Sequence, residues 1–97
     1  DLYYPRTLQN LVRLLLPGGL LVISCATTGR PEHGTRRSLP ENAPFLGRIS
    51  PEWGDYYRNL DESDFRSALD LETSFSNFRF EIEPLAHDLY FWGMKRA

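Results

Sequence analysis

Between Arg6 and Leu16 the apolar residues Leu8, Leu11, Val12, Leu15 and Leu16 recur every three or four positions, while Gln9, Asn10 and Arg13 fall on the opposite side. That spacing predicts an amphipathic helix. Pro5 suits its first turn, where a missing N–H costs nothing, and Pro17-Gly18-Gly19 stops it, since proline cannot continue the ladder and glycine supplies a positive φ. Leu20 to Ala26 follows as an apolar run centred on Val22 and Ile23. Such a run predicts a strand covered on both faces, as in a parallel sheet. From Thr27 to Leu60 the chain is rich in proline and glycine and predicts a long substrate-side loop, the place where function concentrates. Asp61 can cap a helix from about Glu62 to Asp70, with Phe65, Ala68 and Leu69 inward. Phe78, Phe80 and Ile82 then alternate with Arg79, Glu81 and Glu83, the period-two signature of a half-exposed strand. Residues 85–88 form the turn into an aromatic-rich strand over Leu89 to Met94, closing an antiparallel hairpin.

The predicted architecture is therefore α/β: helix, buried strand, long loop, helix and a terminal antiparallel strand pair, in one domain over residues 1–97. A chain of 97 residues supports only a modest core. Its 41% hydrophobic and 25% charged residues lie in the ordinary range for a folded domain. A net charge of −2 gives no global attraction to nucleic acid or to an anionic membrane, and neither is expected as a partner. The single cysteine, Cys25, excludes an internal disulfide and fits a reducing, cytoplasmic setting. The longest apolar stretch, Leu14 to Ala26, is too short and too interrupted to span a bilayer. The opening residues carry neither Met nor a secretion signal and read as a chain entered partway along.

The turn Leu15-Leu16-Pro17-Gly18-Gly19 leading into the strand at Leu20 to Ala26, followed by a loop, a helix and a terminal strand pair, resembles the C-terminal half of a class I S-adenosylmethionine-dependent methyltransferase. In that family such a turn enters the fifth strand of a Rossmann-like sheet, and the last, antiparallel strand is inserted beside it. The resemblance implies a partial methyltransferase sheet, with residues 78–83 and 89–95 as its final pair. It also implies that S-adenosylmethionine is the cofactor of the full-length protein. The family's cofactor-holding elements precede the region matched here, and this sequence contains no Gly-x-Gly, so no cofactor-binding residue is assigned and none is expected to act in this chain alone.

Methyl transfer needs a positioned acceptor and a route for its proton. His33 is the candidate general base because an unperturbed imidazole titrates near neutrality; Tyr56 and Tyr57 are candidates for orienting the proton. Arg30, Arg36, Arg37 and Arg58 can fork onto a phosphate or carboxylate of the acceptor. Thr27, Thr28, Glu32 and Trp53 complete the candidate substrate-binding set, the indole offering a flat face to a sugar. His87 and His33 lack the spacing and the cysteines of a metal site, so no metal is expected.

Two functions follow as expectations. One is the acceptor-side portion of a methyltransferase for a small molecule or a sugar or glycan intermediate, inactive in isolation. The other is a non-catalytic module that completes its sheet with a partner chain or with itself, as a homodimer through an exposed strand edge.

Overall fold

The computed structural model describes residues 3–31 and 58–97. Helix α1 spans Tyr4–Leu14, with Pro5 in its first turn, and strand β1 spans Leu20–Ala26. Helix α2 is Glu62–Ala68 and the single turn α3 is Leu71–Ser74. Strands β2 (Phe75–Glu83) and β3 (Asp88–Lys95) complete the chain.

The three strands form one sheet in the order β1-β3-β2, and both neighbour pairs are antiparallel. β1 and β2 therefore run in the same direction on either side of a reversed β3. This corrects the expected fold: the described sheet is antiparallel, not a parallel Rossmann sheet. It also corrects the reading of β1 as covered on both faces. Exposure alternates along β1, with Leu20 at 57% and Val22 at 65%, while Leu21, Ile23 and Cys25 turn toward the core. A continuous apolar run does not distinguish a strand buried on both faces from one whose outer face is apolar and open.

Helix α1 is displaced by two residues from its predicted span. Leu15 is already extended at φ −69, ψ 134. Pro17 disfavours the helical region for Leu16, so the turn tightens early. The inward stripe is Tyr4, Leu8 and Val12, leaving Leu14 and Leu16 exposed at 68% and 76%. The carbonyls freed at the helix end are met by Lys95, whose Nζ donates to the oxygens of Val12 and Leu15 at 2.7 Å each. A cation at that end also suits the helix dipole. Gly18 adopts φ +80, its N–H donates to the Lys95 carbonyl at 2.9 Å, and the Lys95 N–H donates to Gly19 at 2.9 Å. The end of β3 thus holds both the helix end and the turn into β1.

The core lies on one face of the sheet, where Leu8, Phe65, Leu69, Leu71, Phe75, Leu89 and Phe91 are buried. Phe91, on the central strand, meets the rings of Phe65, Phe75, Phe78 and Phe80 with centroids 5.0 to 6.4 Å apart. Tilted and edge-on aromatic contacts of this kind add to the area they bury. The turn α3, absent from the predicted elements, begins at Asp70, whose carboxylate accepts from the Thr73 N–H at 3.2 Å, and delivers Leu71 and Phe75 inward.

Gly93 is buried under the Phe75 ring, and a Cβ there would lie 2.6 Å from Phe75 Cδ1. Gly93→Ala is expected to destabilise the fold by roughly 1–3 kcal/mol in urea denaturation; an unchanged midpoint would mean that the ring and strand do not meet as described. Asp61 caps α2, accepting from the Asp64 N–H at 3.0 Å and from the Ser63 hydroxyl at 2.6 Å, while Asp64 Oδ2 accepts from the Asp61 N–H. The Ser63 hydroxyl, and then the Asp64 amide, hold the Asp61 carboxyl below the usual carboxylate range. The contribution of the cap is therefore complete above the ordinary aspartate pKa and is lost as pH falls through the lowered value. Asp61→Ala should cost about 1 kcal/mol near neutral pH, with the gap to the parent protein closing on acidification.

Candidate functional site

The candidate site is the carboxyl end of β1, where residues 27–31 leave the sheet and residues 58–60 rejoin it. The β1–β3 ladder extends one step past the strand, the Thr27 N–H donating to the His87 carbonyl at 2.8 Å. The Arg30 N–H then donates to the Thr27 carbonyl at 3.2 Å, closing a turn in which Gly29 adopts φ +98. Glycine is required there twice over. The positive φ disfavours any side chain, and a Cβ would lie 2.8 Å from Nδ1 of His87, whose imidazole rests on the turn. His87 itself sits at φ 55, closing the β2–β3 connection.

Asn59 joins the two stems. Its Nδ2 donates to the carbonyls of Thr27 and Arg30 at 3.0 and 2.5 Å, while the Leu60 N–H donates to the Ala26 carbonyl at 3.0 Å. The chain therefore departs from and returns to one point at the carboxyl end of a sheet strand, where ligands of open α/β sheets gather.

Two guanidinium groups flank this point. Arg30 Nη1 lies 2.5 Å from Asp88 Oδ1, and Arg58 Nη2 lies 2.8 Å from Asp64 Oδ1. Arg58 also sits 5.1 Å from the centroid of the Tyr4 ring, whose hydroxyl donates to the same Asp64 oxygen at 3.3 Å. Both arginines are about half exposed, so these pairs are worth about 1 kcal/mol at most. An anionic group arriving here competes with a carboxylate for each guanidinium, against a weak incumbent. Burial, and then the charges of Asp88 and Asp64, push the Cys25 thiol up from its ordinary value, so the thiolate is disfavoured beside this end.

Of the candidate residues, Thr27, Thr28, Arg30 and Arg58 stand at this end of the strand. Thr27 is 2% exposed and serves through its backbone, whereas Thr28 and Arg30 face solvent. His33, Tyr56, Tyr57, Glu32, Arg36, Arg37 and Trp53 lie outside the described residues. The structure adds Asn59, Asp88 and Asp64. A polar residue at the foot of a long loop was the only sequence signal for Asn59; Asp88 gave none, because Arg30 lies 58 residues away, and Asp64, six residues from Arg58, reads in the sequence as a first-turn acidic residue of α2. Among the described residues no group of three metal-ligating side chains occurs, and no helix is long and apolar enough to cross a membrane. A hollow of about 350 Å³ lined by Arg66, Ser67, Ala68, Leu69, Asp70 and Glu72 shares no residue with this site.

Asn59→Ala removes both donors that join the stems. The variant is expected to lose about 1–3 kcal/mol of stability and to show faster amide hydrogen exchange at Thr27 and Arg30. Unchanged exchange at those two amides would mean that Asn59 does not hold the turn.

A scan against protein-family models, a search of curated proteins and a search of solved structures each returned no match to this chain.

Proposed function

We propose that this chain is the C-terminal, acceptor-side portion of an S-adenosylmethionine-dependent methyltransferase acting on a small molecule or a sugar or glycan intermediate, and that it is inactive by itself. The observation that carries the reading is the direction of the strands: β3 runs antiparallel between β1 and a co-directional β2, behind a helix and a Pro-Gly-Gly turn. A final reversed strand beside the strand that follows that turn is what the sequence resemblance leads one to expect at the end of a methyltransferase sheet.

In this reading the carboxyl end of β1 faces the acceptor. Arg30 and Arg58 bind an anionic or hydroxyl-rich group, Thr28 offers a hydroxyl from the turn, and Asn59 joins the two stems; His33 is the general base, and Tyr56, Tyr57, Glu32, Arg36, Arg37 and Trp53 are the further acceptor-side candidates of the sequence, outside the described residues. Methyl transfer is an in-line displacement, so the contribution asked of these groups is positioning and proton removal. S-adenosylmethionine would supply the methyl group, but no glycine cradle opens a helix among the described residues, and none of them is assigned to it. A cytoplasmic setting belongs to the same reading and rests on the single unpaired thiol, Cys25.

A second reading, a non-catalytic module that completes its sheet with another strand, is favoured by one observation: among the described residues β1 ends the sheet, yet no charged residue occurs between Leu20 and Ala26. Two measurements separate the readings. A coding sequence that supplies a Gly-x-Gly turn upstream of Asp1 supports the enzyme; one carried by a neighbouring gene supports the module. Titration calorimetry of this chain with S-adenosylmethionine is expected to show no specific heat, and micromolar affinity would overturn the assignment of the cofactor site to another segment.

A further inference from the structure

The hydrogen bonds at the two ends of the β1–β3 ladder fix which way each β1 residue points its backbone. Thr27 pairs with His87 at one end and Gly19 with Lys95 at the other, so odd-numbered residues bond to β3. Even-numbered residues therefore aim their N–H and C=O groups away from the sheet. The Ala26 carbonyl is already taken by the Leu60 N–H at 3.0 Å. Among the described residues, that leaves the Ala26 N–H, and both the donor and the acceptor of Leu20, Val22 and Ser24, facing outward without a backbone partner. The three residues with both groups open form a set symmetric about Val22.

The open face of the sheet is graded in the same direction. Its rows run Leu20–Met94–Asn77, Val22–Trp92–Arg79 and Ser24–Tyr90–Glu81 from β1 through β3 to β2. Apolar side chains collect at β1, and the Arg79–Glu81 pair, 3.0 Å apart, lies on β2. β2 also carries a register shift between Phe75 and Asn77. Charges and irregular register are the usual means of ending a sheet. β2 is built as an outer strand and β1 as an inner one.

We infer that a second copy of this chain occupies the β1 edge, antiparallel, on a twofold axis through Val22. The inference rests on the self-association reading above and holds for this chain by itself; in the methyltransferase reading an upstream strand takes the same edge. In this register Val22 faces its own copy and Leu20 faces Ser24, each pair exchanging both bonds, which gives about six hydrogen bonds across the axis. It satisfies Leu20, Val22 and Ser24 and leaves the Ala26–Leu60 bond intact. Leu21 comes opposite Ile23 of the other copy on the core side, and Val22 meets Val22 on the open side, both favourable apolar cross-strand pairs. No charge meets a like charge across the axis. The joined sheet places the apolar β1 strands in its centre and a charged β2 at each end, so assembly closes at two copies. A strand from another segment of a longer protein would exclude the second copy, because both need the same edge.

Sedimentation equilibrium of the 97-residue chain tests this, with Val22→Pro and Val22→Lys as partners. The Val22 N–H points outward, so proline removes the two central bonds of the dimer without removing a β1–β3 bond. Lysine at this 65%-exposed position puts two like charges on the axis. The parent chain is expected to form dimers and no larger species. Both variants should keep the parent circular dichroism spectrum while dimerising roughly tenfold to a hundredfold more weakly. A folded parent chain that stays monomeric at high concentration overturns the inference, as do open-ended oligomers, or folded variants that dimerise as tightly as the parent. These outcomes leave the methyltransferase reading untouched, since that reading stands or falls on the cofactor titration and the upstream sequence.

Discussion

The structure depends on β3 lying between two strands that run the opposite way. Four other parts of the chain are held to it: β1 and β2 by their ladders, α1 by the Lys95 ammonium, and α2 through Phe65 against Phe91, with the Pro-Gly-Gly turn fixed by the Lys95 backbone. A strand near the C-terminus is thus the organising centre for segments more than 60 residues upstream. Such non-local pairing closes only after a large entropy cost, and it concentrates the apolar contacts that offset this cost on a few rings around Phe91.

From this follows an uneven molecule. One face of the sheet carries helices and the aromatic core; the other holds Leu20, Val22, Trp92 and Met94 beside Arg79 and Glu81. One edge, at β2, is charged and irregular, while the other, at β1, is regular and uncharged. The carboxyl end of β1 is the third special region, where Asn59 ties the departing and returning chain together and two paired arginines face solvent. Edge and carboxyl end belong to the same short strand. Its backbone groups toward β3 build the fold; of those facing away, the Ala26 carbonyl accepts from Leu60, and those of Leu20, Val22 and Ser24 have no backbone partner among the described residues.

Much of this was legible from local pattern. Helix α2, its Asp61 cap and the β2–β3 hairpin follow from spacing and capping chemistry that need no distant partner. The alternation of Phe78 and Phe80 with Arg79 and Glu81 placed two of the rings around Phe91 on the core face. The early end of α1 follows from Pro17 acting on Leu16, a local effect that the apolar spacing overrode. Elsewhere the deciding partner was far away: the turn α3 depends on Leu71 finding a place under the sheet, and the exposure of Val22 depends on which elements exist to cover it. For the candidate site, Arg30 and Arg58 were visible as basic residues at the two ends of a long connection. Their carboxylate partners, and the role of Asn59, were not, because a side-chain amide reaching back across about thirty residues leaves no periodic trace.

The central position of β3 is open to a direct measurement by nuclear Overhauser effects between backbone Hα protons. In antiparallel sheets these protons approach closely only at the pairs that do not exchange hydrogen bonds. The register predicts strong contacts for Val22 with Trp92 and Ser24 with Tyr90 on one side of β3, and for Phe80 with Phe91 and Ile82 with Leu89 on the other. Finding both sets in one spectrum supports the account; contacts joining β1 directly to β2, or the loss of either set in the folded protein, would contradict it.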